Sequence, residues 1–190
     1  MGLMQQRAIM TGPGGRRKHL GFTLVETALA TVIIGTGVLA MVTAHQVLLE
    51  KNGWSTMAGT AALLGNEIRE MTLNLPRHDP VTNQSYWGPE PDESTVSDFD
   101  DVDDFDGPGG GLVFSTAMGN GPIDASRSII GDMDGWEQVV RVRNVDPFDI
   151  LTTVADGTSE MIRVEVEILH RESPEDRPRL MTRLTWITPR

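Results

Sequence analysis

Phe22-Thr23-Leu24-Val25-Glu26-Thr27-Ala28-Leu29-Ala30 opens a run that continues as TVIIGTGVLAMVTAHQVLL to Leu49, and Glu26 is its only charged residue, His45 being neutral. About 20 such residues suffice to cross a bilayer as a helix. Arg16, Arg17, Lys18 and His19 stand immediately before the run. Positive charge before a span holds the amino end in the cytoplasm and sends the rest of the chain outward. The stretch therefore predicts a single-pass helix, amino end in and carboxyl end out.

A plain signal anchor would have these features, and so would a signal peptide cut after Ala44, where Val42-Thr43-Ala44 offers a small-residue site. Neither accounts for Glu26. A carboxylate near the start of a spanning helix costs up to roughly 2.5–3.5 kcal/mol on insertion scales, so it is normally matched by a partner or a function.

Arg16-Arg17-Lys18-His19-Leu20-Gly21-Phe22-Thr23-Leu24-Val25-Glu26 resembles the processing site of type IV prepilins and type II secretion pseudopilins. It combines a basic leader, Gly, an aromatic residue, a short apolar stretch, Glu and a membrane span. The resemblance implies that a prepilin peptidase cuts after Gly21 and that the amine of Phe22 becomes N-methylated. It also implies that Glu26 of one subunit compensates the positive amino terminus of a neighbour during assembly. The implied partners are prepilin peptidase, other pilin or pseudopilin subunits met through the helix, the inner-membrane assembly platform and inner-membrane lipid. The implied location is the bacterial inner membrane with the carboxyl-terminal part in the periplasm, followed by a periplasmic or extracellular filament. A leader of 21 residues is long for the family, and Met4 and Met10 are alternative starts. Arg16 and Arg17 are accounted for by a basic leader without a twin-arginine export signal.

Beyond the span, Trp54, Met57, Ala61, Leu64, Ile68 and Met71 recur at helical spacing, which predicts that the helix continues to Leu75 and stops at Pro76. No proline interrupts Phe22 to Leu75, which favours a pseudopilin or minor subunit within the resembled family, and residues 61–69 resemble the helix of minor I-type pseudopilins and of related minor pilins. Strands are predicted at Leu112–Ser115, Trp136–Val145, Met161–His170 and Arg179–Ile187. In the third of these, Ile162, Val164, Val166 and Ile168 alternate with Arg163, Glu165 and Glu167. The turn at residues 171–178 predicts an antiparallel hairpin between the last two. The expected fold class is α+β, with a long amino-terminal helix packed on a carboxyl-terminal antiparallel sheet, the pilin-like layout. The expected organisation is a removed leader (1–21), a membrane half of the helix (22–47), an amphipathic half (48–75), an irregular acidic region (76–110) and the sheet (111–190).

Glu90 to Asp106 contains nine acids and no base. Asp98/Asp100, Asp101/Asp103 and Asp104/Asp106 form three successive Asp-x-Asp units. Such crowded hard oxygen donors suit calcium. The spacing is not that of an EF-hand, so a solvated acidic loop stands as the alternative.

The chain beyond Gly21 holds 12 basic against 27 acidic residues, a balance of −15. That disfavours nucleic acid, whose binding rests on Lys and Arg neutralising phosphates. Cysteine is absent, which removes disulfides and thiolate chemistry. No nucleophile-and-base motif or phosphate loop occurs, and no enzyme is expected. The expected function is a structural subunit, a minor pseudopilin of a type II secretion pseudopilus. The alternatives are a minor type IV pilin for adhesion, motility or DNA uptake, and a membrane-anchored, calcium-dependent binding module.

Overall fold

The computed structural model describes residues 23–81, 86–107 and 110–188. Gly21, Phe22 and the expected leader lie outside them. The chain divides into two compact units, Met1–Leu49 and Glu50–Arg190, and helix α1 (Leu24–Leu73) contributes to both.

In the first unit Thr23 caps α1: its hydroxyl accepts the Glu26 N–H at 3.3 Å. Thr-x-x-Glu is the spacing of a capping box, and the positive end of the helix dipole favours a carboxylate in the first turn. The hydroxyls of Thr27, Thr31, Thr36 and Thr43 donate back to carbonyls one turn earlier, at 2.8 to 3.2 Å. None of these groups needs water, as a hydrocarbon setting requires. The apolar side chains around them are exposed on every face, and the most apolar window has a mean hydropathy of 1.9 with none of it buried. A helix apolar all round belongs in a large core or a membrane. By length and composition, this one is able to cross a bilayer.

In the second unit the helical periodicity buries Ala61, Leu64, Gly65, Ile68, Met71 and Thr72. Of these, Ala61, Leu64, Ile68 and Met71 share one core with Val140, Val142, Ile162, Val164, Val166 and Ile168 of the sheet. Gly65 marks the close approach: a Cβ there would stand 2.5 Å from Leu184 Cδ1. Of the expected stripe, Met57 is half-buried, whereas Trp54 stays exposed and lies 4.5 Å beneath the Arg179 guanidinium. The helix ends at Leu73, two residues before the expected Leu75, because Pro76 biases its predecessor away from helical geometry.

The sheet is five-stranded and antiparallel: β1 (Leu112–Ser115), β2 (Trp136–Asp146), β3 (Asp149–Thr153), β4 (Met161–His170) and β5 (Arg179–Ile187). Its order is β1-β2-β4-β5, with β3 paired to the end of β2. Between β2 and β4, Gln138 faces Ile168, Val140 faces Val166 and Val142 faces Val164, which builds the apolar face under the helix. On the other face Arg141 Nη1 meets Glu167 Oε2 at 2.6 Å and Glu165 Oε1 at 3.7 Å, and Arg183 pairs with both carboxylates. Strand β3 escapes sequence reading because every residue in it is exposed, leaving no alternation to detect. The fold class is α+β, one long apolar helix followed by an antiparallel sheet.

Gln138 is an amide on the apolar face, and it is completely buried. Its Oε1 accepts the Ile123 N–H at 2.8 Å, and its Nε2 donates to the carbonyls of Leu64 and Ile123 at 3.0 Å each. One side chain thus ties helix, loop and sheet together.

Candidate functional site

The acidic segment is not a solvated loop: Asp101, Asp103 and Asp104 are at most 1% exposed. Phe99, Val102 and Phe105, spaced by three, bury themselves in the core and carry the intervening aspartates inward. Phe99 and Phe105 meet edge-to-face at 5.2 Å. The Val102 N–H donates to the Pro76 carbonyl at 2.9 Å, and a 3₁₀ turn over Asp103–Asp106 follows. Gly107 ends that turn with φ 58°, a left-handed geometry that favours glycine.

The six aspartates expected to act together have different surroundings. Asp98 is exposed, and its Oδ2 accepts the amides of Ser94 and Thr95 and the Thr95 hydroxyl at 3.2, 2.8 and 2.9 Å. These bonds, the Thr95 hydroxyl foremost, hold its carboxyl below the usual range. Asp106 joins Trp87 Nε1 at 2.9 Å and Arg143 Nη1 at 3.1 Å. Asp103 Oδ2 lies 2.9 Å from His78 Nδ1, and both residues are buried. Burial lowers the histidine's pKa and raises that of Asp103, so desolvation opposes both charges and the pair shares one hydrogen bond whose direction follows the histidine tautomer.

Asp100, Asp101 and Asp104 do converge. Asp104 Oδ2 accepts the amides of Asp100 and Asp101 at 3.0 and 3.1 Å, while the Asp104 amide donates to Asp101 Oδ1 at 3.2 Å. One oxygen from each of these three carboxylates lies within 4.8 Å of the others. A second group, Glu90, Glu93 and Asp104, meets the same distance. Asp104 belongs to both.

Desolvation dominates the electrostatics. It pushes the Asp101 carboxyl up to about 9, with the facing Asp103 adding to the rise. It pushes Asp103 to about 7 and Asp104 to about 6. Among the described residues no Lys or Arg forms an ion pair with Asp101, Asp103 or Asp104. Buried carboxylates without a cation are expensive, and a proton or a metal ion relieves them.

Glu90, Glu93 and His78 were outside the ligand set expected from sequence. The Phe99, Val102, Phe105 spacing is the signal that marks this segment as buried, and it sits inside a run whose acidity suggests a surface. The chain matches no protein-family model, no curated protein and no solved structure.

Proposed function

We propose that this chain is a structural, filament-forming subunit of the pilin-like type, a minor pseudopilin of a type II secretion system, processed between Gly21 and Phe22 by a prepilin peptidase. The observation that carries the proposal is Glu26, the one charge in the exposed apolar part of α1, residues 24–49, preceded by the basic stretch at Arg16 to His19. The same helix continues into a half that packs on an antiparallel sheet, the element order a pilin subunit requires. In this reading the role is assembly rather than catalysis. The subunit is anchored in the inner membrane and recruits its neighbours and the assembly platform through α1. A minor type IV pilin has the same architecture and stands as the second reading; the secreted or extended character of the filament separates the two. A membrane-anchored binding module that never polymerises is the reading of another class, favoured by the acidic cluster.

The capping geometry sharpens the decisive experiment. The Thr23 hydroxyl accepts the Glu26 backbone N–H, so the cap survives a change of side chain at this position. Glu26→Gln keeps the size and polarity of the side chain and removes only the charge. Loss of filament incorporation in Glu26→Gln, with membrane insertion unchanged, is the expected result. Normal incorporation of that variant would sink the role of Glu26 in subunit alignment.

A further inference from the structure

Leu49 ends the apolar run of α1, and Lys51 and Trp54 follow it within about two turns. In a helix the Cα–Cβ bonds tilt toward the amino end, so both side chains lean back toward the span. Trp54 is 48% exposed, and the Arg179 guanidinium lies 4.5 Å from the centre of its ring. Tryptophan and long basic side chains just past a span are what a helix presents to a headgroup layer.

A cleft of about 860 Å³ opens beside these residues, lined by the first turns of the second unit's helix and by the connection from β4 to β5. Its volume is that of a small-ligand site. Three cations line it, Lys51, Arg177 and Arg179, and three anions, Glu50, Glu172 and Asp176. Arg171 lines it too, but is already paired with Glu137 at 2.8 Å. Among the described residues none of those six forms an ion pair. The contact with Trp54 holds the Arg179 side chain in place without an acceptor for its N–H groups. Both signs of charge are therefore available to a ligand that carries both. Met57 and Met181, packed against the core, add an apolar side.

The three cations and three anions cancel, whereas the chain beyond Gly21 has 12 basic against 27 acidic residues. So acidic a body is repelled by an anionic surface. A headgroup that is neutral overall fits better, its phosphodiester accepting from Lys51, Arg177 and Arg179 and its ammonium donating to Glu50, Glu172 and Asp176. A primary ammonium has three N–H donors for carboxylates, and a trimethylammonium has none. We propose that this cleft binds the headgroup of a phosphatidylethanolamine-type lipid in the leaflet at the carboxyl end of the span. The inference rests on the reading of α1 as a membrane anchor and does not require a filament. Its consequence is that the β4–β5 connection is tied to the membrane surface.

The test is native mass spectrometry of the full chain in detergent micelles, titrated with phosphatidylethanolamine, phosphatidylcholine or phosphatidylglycerol of identical acyl chains. The expected result is one phosphatidylethanolamine retained per chain in preference to the other two. Arg177→Gln weakens retention of both phosphatidylethanolamine and phosphatidylglycerol by roughly fivefold, the effect of one basic side chain beside a headgroup. Asp176→Asn weakens retention of phosphatidylethanolamine and strengthens that of phosphatidylglycerol, an opposition that a merely structural role would not produce. Glu175→Gln, in the same connection but outside the cleft, changes neither. The proposal is overturned by equal retention of the three lipids, by preference for phosphatidylglycerol, by retention unchanged in both Arg177→Gln and Asp176→Asn, or by equal loss in Glu175→Gln. Binding of soluble glycerophosphoethanolamine as tight as that of the lipid would make the ligand a free solute and overturn it as well. Release of the chain from membranes by sodium carbonate would sink the anchor reading itself, whereas a chain that stays in the membrane without headgroup preference sinks only this inference.

Discussion

Gln138 and Glu167 lie on opposite faces of the sheet and make contrasting predictions. Gln138 fills three hydrogen bonds in a fully buried position, so Gln138→Leu, although close in shape, leaves the Ile123 amide buried and unpaired. The expected loss is about 1–3 kcal/mol of stability, read from urea unfolding midpoints. Glu167 is held below the ordinary 4.5, first by its hydrogen bond from Arg141 and also by Arg183. The unfolded chain therefore binds the proton more readily than the folded one. The stabilisation is present above pH 4.5 and disappears as pH falls through the folded value. Unfolding midpoints of the wild type and Glu167→Gln should accordingly converge as the pH is lowered below that point. A constant gap down to strongly acid pH would show that the pair contributes through packing alone. Neither role was readable from sequence: Gln138 occupies a strand position that alternation marks only as inward, and its partners lie 74 and 15 residues away.

At the scale of elements, the strongest dependence is the docking of residues 57–72 on β2 and β4. Leu64 is fully buried between them, and Leu64→Ala should cost about 2–5 kcal/mol by lost burial and cavity formation. Ala61→Leu tests the same interface from the other side, because an added side chain at a fully buried position overpacks the layer by about 1–3 kcal/mol. Differential scanning calorimetry of the full chain in micelles reads both. The β2–β3 hairpin should behave otherwise. Phe148 is 98% exposed at its tip, so Phe148→Ser should change the melting temperature little. The helix stripe and the alternation in β4 were legible because one face of each element meets the core and the other does not. Strand β3 lacks such a face, and the acidic segment concealed its three-residue apolar spacing beneath its charge.

For the whole molecule, the proposed cut between Gly21 and Phe22 is the step that would link chemistry to assembly. Mass spectrometry of the membrane-extracted protein should find a chain that begins at an N-methylated Phe22; a chain that begins at His45 would identify an ordinary cleaved signal instead. The basic stretch at Arg16 to His19, the apolar run with Glu26 and the acidic remainder are written in local composition and period. A bilayer-length helix and a half-buried strand each depend on residues a few positions apart, so the sequence by itself determined them. The carboxylates that meet were decided only by tertiary structure. Asp103 finds His78 across 25 residues, and Asp104 lies with Glu90 and Glu93 while Asp98 and Asp106 turn to other partners. The physical reason is that an irregular segment has no period of its own. Its path is set by where Phe99, Val102 and Phe105 can be buried, and the carboxylates go where those three side chains take them.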